Sequence, residues 1–249
     1  MAATSFAVVP SGRRLVLVAG ALLTLAACEI PSFGAPEPAS KEGRHVLSLW
    51  QGFFIASLAV GALVLGLITY ALIRFRRRDD RIPSQKPYNV TWEIIYTVTP
   101  IIAVAVLFGF SISTQNKVDR LVDRPDVTVD VTGYQWGWQF AYRDLGVTVN
   151  GTGEQQLPEL VLPVDKTVRF VLRTNDVNHS FWVPAFLEKR DLIAGIDNQI
   201  DITPDRTGTF DGRCAEYCGL DHWRMGFTVT VMDQAGFDSW AKTHGGATP

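Results

Sequence analysis

Two long stretches without charge constrain this chain more than any other feature. No Asp, Glu, Lys or Arg occurs from Val46 to Ile73, and a second such run extends from Ile94 to Asn116. At about 1.5 Å per helical residue, each is long enough to cross the roughly 30 Å apolar core of a bilayer. A charge at the bilayer centre costs about 2.5–3.5 kcal/mol, so runs this clean are expected to be membrane-spanning helices. The expectation is a transmembrane hairpin over residues 45–116, with helices near 46–73 and 92–115. Trp50, Trp92 and Tyr96 suit the interfaces, and Pro100 is expected to kink the second helix near its start.

Arg74, Arg76, Arg77, Arg78, Arg81 and Lys86 lie between the runs. Basic loops stay on the cytoplasmic side, so both ends of the hairpin are expected outside, on a bacterial plasma membrane. Residues 1–27 read as an export signal: Arg13 and Arg14 precede an apolar stretch from Leu15 to Ala27 that is short for a span. It ends in Leu25-Ala26-Ala27-Cys28, which resembles the lipobox of bacterial lipoproteins and implies cleavage before Cys28 and a lipid on its sulfur. Residues 28–44, rich in Pro, Gly and Ser, read as a flexible tether.

Residues 117–249 have a different character. Val127–Val131, Val168–Leu172 and Phe227–Val231 alternate apolar with polar residues between clusters of Pro, Gly, Asn and Asp, the pattern of a β-sandwich or barrel. A short terminal helix is expected around Gly236–Thr243. A formal net charge of -2 for the 249 residues argues against nucleic acid as a partner.

The densest chemistry lies between Cys214 and Met225, where Cys214, Cys218, His222 and Met225 fall within one short segment. His179 stands upstream in Asn175-Asp176-Val177-Asn178-His179-Ser180. Three readings compete. A disulfide between Cys214 and Cys218 leaves the histidines and Met225 without a task. A structural zinc site uses two thiolates and two imidazoles but no methionine. Copper is favoured by soft thiolate and thioether donors combined with imidazole. Two thiolates four residues apart can bridge two copper ions, although spacing alone does not fix the number of metals.

The pattern Cys-x-Glu-x-Cys-x-x-x-His-x-x-Met, with an upstream Asp-x-x-His-Ser-Phe, resembles the binuclear copper (CuA) motif of subunit II of bacterial haem–copper cytochrome c oxidases. The resemblance implies a cupredoxin fold, a Greek-key β-sandwich, following the two-helix hairpin. It implies Cys214 and Cys218 as bridging thiolates, His179 and His222 as imidazole ligands, and Met225 and the Glu216 carbonyl as weaker ones. It further implies that the Glu216 side chain reaches a magnesium or manganese ion shared with subunit I, with Lys189 and Asp191 nearby. The implied activity is electron transfer from cytochrome c to subunit I, where oxygen is reduced to water with proton pumping.

Tyr134, Trp136, Trp138, Phe140 and Tyr142 fall at every second position, which places five aromatics on one face of a single strand. Gln135-Trp136-Gly137-Trp138 resembles the family's aromatic segment, which implies Trp136 as the point of electron entry. The stretch Trp92 to Pro100 resembles the family's proton-channel mouth and implies Glu93 as its entry residue. Asp176, Asp211 and Asp221 could form an acidic rim for a basic cytochrome c. Ala185 and Ala194-Gly195-Ile196 depart from the family pattern, which suggests a membrane-tethered donor. Two rival readings are a copper-free quinol-oxidase subunit and a membrane-tethered copper chaperone or store.

Overall fold

The computed structural model describes residues 31–245 apart from 81, 83 and 153–156. Residues 1–27, read above as an export signal, and Cys28 lie outside the described residues. The first charge-free run lies in helix α1 (Lys41–Arg74) and the second in helix α2 (Val90–Val118), and the two pack on one another. Both are long and apolar enough to cross a membrane. Asn89 caps α2, its side chain accepting from Trp92 N, and α2 runs unbroken through Pro100.

Both helices extend beyond the charge-free runs because their outer ends are built onto the β-domain. Ser40 caps α1 by accepting from Gly43 N at 3.0 Å, and its hydroxyl donates to Phe186 O at 3.2 Å. Ala39 N donates to Ala185 O (2.7 Å), Lys41 N to Thr203 O (3.0 Å), and Thr203 N to the Glu42 carboxylate (2.8 Å). Arg44 pairs with Asp205. A side chain at Gly43 would put Cβ 2.5 Å from Phe186 O, so only glycine allows this approach. The flexible-tether reading therefore fails for residues 39–44, where Ala39 and Ser40 are fully buried. Composition signalled a linker, but the backbone groups of these residues find partners on the sheet.

The β-domain is a sandwich of two five-stranded sheets. Its strands are β1 (Val127–Tyr134), β2 (Gly137–Tyr142), β3 (Val147–Thr152), β4 (Glu159–Pro163) and β5 (Val168–Thr174). Then come β6 (His179–Val183), β7 (Glu188–Leu192), β8 (Asn198–Ile202), β9 (Gly208–Cys214) and β10 (Gly226–Met232). One sheet runs β3-β2-β1-β5-β8 and the other β4-β10-β9-β6-β7. Alternation drives the packing: Phe227, Val229 and Val231 of β10 face inward, with Thr228 and Thr230 between them. The core centres on aromatic rings. Phe227 stacks on Phe181 with centroids 5.0 Å apart and meets Trp138 edge-on at 5.3 Å. A last helix, α3 (Gln234–His244), covers one end, where Trp240 meets Tyr142 at 5.0 Å.

The five-aromatic strand is corrected. Tyr134 pairs with Gly137, so Gln135 and Trp136 form a two-residue turn between β1 and β2. Paired residues of a hairpin share a face, so Trp138, Phe140 and Tyr142 share the core face with Gly133, Val131 and Val129. Tyr134 therefore points to the other face, where its hydroxyl donates to Gly151 O at 3.3 Å.

The connection from α2 into β1 is also fixed. Val122 N donates to Asp201 Oδ2 at 2.7 Å, and Arg169 holds the same carboxylate through two bonds of 2.8 and 2.7 Å. Arg169 also donates to Val122 O at 2.5 Å. Strand β8 and the residues after it thus hold both outer helix ends, α1 through Thr203 and α2 through Asp201.

Candidate metal centre

Cys214 closes β9 and Gly226 opens β10, its antiparallel partner, so the segment from Cys214 to Met225 is the connection between two adjacent strands. Its neck is tied by Cys214 N donating to Met225 O at 2.9 Å. At its tip Gly219 has φ +121, a conformation suited to glycine, and a Cβ there would lie 3.0 Å from Gln135 Nε2. His222 N then donates to Gly219 O at 3.2 Å, which turns the imidazole back toward the cysteines. His179 arrives from the first residue of β6, which pairs with β9 through Phe181 and Cys214.

These elements gather five donor side chains. Cys214 Sγ lies 3.9 Å from Cys218 Sγ and 3.9 Å from His179 Nδ1. Cys218 Sγ lies 3.5 Å from His222 Nδ1 and 3.7 Å from Met225 Sδ. The Glu216 carbonyl oxygen is 3.2 Å from Cys214 Sγ, while the Glu216 side chain belongs to an exposed residue. His179, Cys214, Cys218 and Met225 are buried and His222 is half-buried. Both cysteines are free, which removes the disulfide reading. His179, Cys214 and Cys218 present ligand atoms that all lie within 4.8 Å of one another. Buried sulfur and imidazole donors without a covalent link suit a soft metal ion.

The electrostatics agree with such a role. Burial opposes ionisation of Cys214, but its contacts, chiefly with His179, outweigh burial and bring the thiol down to about 7. Burial first, and then the neighbouring Cys214 charge, push Cys218 up to about 12. Two thiolates side by side in a low-dielectric pocket repel, and a bound cation is what would relieve that repulsion. For His179, burial works against protonation, but contacts with Cys214 and with Asp176 raise its value.

Asp176 holds the outer face of His179, its Oδ1 lying 2.8 Å from Nε2, which leaves Nδ1 directed at Cys214. The sequence offered Asp176 as a docking acid; its spacing of three from His179 was the available signal for this other task. Of the remaining acids, Asp221 is paired with Arg224 at 2.8 Å and Asp211 is exposed. Trp136, half-buried in the β1–β2 turn, donates its indole N–H to Cys218 O at 3.2 Å. Gln135, which the sequence reading passed over, donates to the same carbonyl at 2.7 Å. Lys189 and Asp191 pair at 2.8 Å on β7, and Ser180 Oγ donates to Asp191 at 2.7 Å. Glu93 belongs to the other end of the molecule, where its carboxylate accepts from Asn89 N at 3.2 Å in the first turn of α2.

Residues 127–232 match the family model for the periplasmic domain of cytochrome c oxidase subunit II, and residues 31–113 match the model for its transmembrane domain. A probable cytochrome c oxidase subunit 2 of Streptomyces avermitilis is 41% identical, with the match covering 90% of this chain and 84% of the relative. The chain belongs to the cytochrome c oxidase subunit II family. A cytochrome c oxidase subunit 2 of Mycobacterium tuberculosis is 32% identical over 92% of this chain and 81% of its own length. Among solved structures, the periplasmic domain of subunit II from Bradyrhizobium japonicum is 36% identical, covering 50% of this chain and 96% of that one with a TM-score of 0.46.

Family membership makes this chain a membrane-protein subunit of a haem–copper oxidase, an oxidoreductase complex. The expected architecture, two helices followed by a cupredoxin-type sandwich, is borne out. In a subunit II with a CuA-type domain, the His179, Cys214 and Cys218 cluster is the place where copper fits the donors present.

Proposed function

We propose that this subunit accepts electrons from cytochrome c at a binuclear copper centre and delivers them to subunit I, where oxygen is reduced to water with proton pumping. The observation that carries this reading is the convergence of His179, Cys214, Cys218, His222 and Met225 from β6 and one strand connection. Cys214 and Cys218 would bridge the pair, His179 and His222 would each serve one ion, and Met225 and the Glu216 carbonyl would bind more weakly. A copper pair held by these residues would supply one-electron redox chemistry.

The chain's own residues set the conditions for that chemistry. Burial of the two sulfurs and Met225 excludes water, and Asp176 fixes the His179 ring. Trp136 is the proposed entry for electrons, because its indole lies against the Cys218 carbonyl at the half-buried edge of the site. The Glu216 carboxylate is proposed to bind magnesium or manganese at the junction with subunit I, with Lys189 and Asp191 supporting it. Glu93 is proposed to receive protons on the cytoplasmic side; its place in the first turn of α2, beside the basic interhelical loop, supports that reading. Both termini and the copper domain are assigned to the outer face of the plasma membrane, with Cys28 lipidated. The altered Ala185 and Ala194–Ile196 region favours a membrane-tethered cytochrome c.

Electron paramagnetic resonance of the copper-loaded full-length chain tests the central claim. A hyperfine pattern from one electron shared over two coppers is expected. A mononuclear signal, or a protein that takes up zinc alone, overturns it in favour of a copper-handling or structural metal site.

A further inference from the structure

The turn that carries Trp136 is joined to both halves of the metal site, and Gln135 makes both joins. Its backbone N–H donates to Asp176 Oδ2 at 2.7 Å, and Asp176 Oδ1 is the partner of His179 Nε2 at 2.8 Å. Its side-chain amide donates to Cys218 O at 2.7 Å. The Trp136 indole donates to that same oxygen at 3.2 Å, so both lone pairs of the carbonyl are engaged. Gly219, next in the chain, packs closely under the turn: a Cβ there would lie 3.0 Å from Gln135 Nε2 and 3.2 Å from Trp136 Cζ2 and would press on both. One turn therefore bridges a loop before β6 and the loop between β9 and β10, which are otherwise separate in sequence.

We propose that Gln135 is a positioning residue for electron entry, holding the Trp136 indole on the Cys218 carbonyl and locking the two ligand-bearing loops together. The inference rests on the reading of Trp136 as the entry point. The bond path from indole N–H through the Cys218 carbonyl to Cys218 Sγ is short. Electronic coupling across a non-bonded gap falls steeply with distance, so a displaced indole loses rate much as a misplaced reacting group does. Without the amide of Gln135, the longer indole bond is the one hydrogen bond left from the turn to the Cys218 carbonyl, while the backbone bond to Asp176 remains. Loss of one such neutral hydrogen bond shifts a local equilibrium by about three- to tenfold.

The test uses the assembled oxidase with Gln135→Ala, Gln135→Met (which keeps bulk without a donor) and Trp136→Phe. Rates of electron entry are measured with cytochrome c and with a small-molecule reductant that needs no docking. The ratio of the two rates is expected to fall about three- to tenfold in both Gln135 variants and at least as far in Trp136→Phe. In the metal-free chain, hydrogen exchange of the 217–219 amides is expected to quicken by a similar factor in both Gln135 variants. A ratio within twofold of the parent in both Gln135 variants, while Trp136→Phe lowers it, overturns the role of Gln135 alone. A ratio that Trp136→Phe does not move removes the entry reading and the inference with it. Equal slowing with both reductants, or unchanged exchange at 217–219, also refutes positioning.

Discussion

Replacing Asp201 by Asn is expected to weaken the junction between membrane hairpin and copper domain by a calculable amount. The Asp201 side chain is 3% exposed and that of its partner Arg169 17%. The carboxylate accepts from Arg169 Nε and Nη2 and from Val122 N, all between 2.7 and 2.8 Å. Asn keeps the shape and one acceptor, but its NH2 group faces donors and the guanidinium loses its counter-charge. Removing one partner of a buried ion pair costs about 3–5 kcal/mol, and the retained acceptor puts this case near about 3. At about 4 °C per kcal/mol for a domain of this size, the midpoint should fall by about 12 °C. Thermal unfolding of the full chain in detergent, followed by near-ultraviolet circular dichroism, reads it directly. The double variant Asp201→Leu with Arg169→Met removes both charges and should recover part of the loss. A fall below about 3 °C in the single variant, or a double variant less stable than the single, refutes the argument that an uncompensated buried charge sets the cost.

Three further outcomes are expected. Gly212→Ala would place Cβ 2.1 Å from Phe227 Cε2 and press that ring into Phe181 and Trp138, whose indole donates to Met225 O. It should cost about 1–3 kcal/mol in denaturant unfolding and weaken copper retention, and full stability would show that the aromatic cluster yields freely. Hydrogen bonding from Arg143, aided by Arg173, holds the Asp130 carboxyl below its usual range, so its stabilisation is present above the unfolded value near about 3.9 and is lost as pH falls through the lower folded value. Melting temperatures should therefore drop more steeply below about pH 4 in the parent than in Asp130→Asn, and parallel curves would refute the link. Copper loading at pH 7 should release about two protons, because Cys218 is held protonated up to about 12, Cys214 ionises at about 7, and His179, raised above its ordinary value, must also be neutral to bind. Affinity should accordingly weaken as pH falls, and calorimetry in buffers of different ionisation enthalpy would expose a proton-neutral reaction.

The sequence by itself carried a large share of this molecule, because the features concerned are local and chemically extreme. A run without charge from Val46 to Ile73 can only be accommodated in a few ways, and helix α1 contains all of it. Alternation in Val127–Val131, Val168–Leu172 and Phe227–Val231 reports a half-buried strand wherever it occurs, and all three fall inside strands. Cys214, Cys218, His222 and Met225 are close in sequence, so their spacing alone placed four soft donors on one connection.

Tertiary structure decided what depends on partners distant along the chain. Residues 39–44 look like a linker by composition, yet they bury Ala39 and Ser40 because Thr203, Ala185 and Phe186 supply hydrogen bonds that composition cannot reveal. The aromatic series from Tyr134 to Tyr142 has the period of one strand, but a two-residue turn reverses the chain and sends Tyr134 to the opposite face. Most of the site's order comes from such long-range meetings: His179 reaches Cys214 across 35 residues, and Gln135 reaches Cys218 across 83. Side-chain chemistry is written residue by residue and survives reading in one dimension. Hydrogen-bond partners and the faces of strands are set by how the chain returns on itself, and only the folded sandwich determines them.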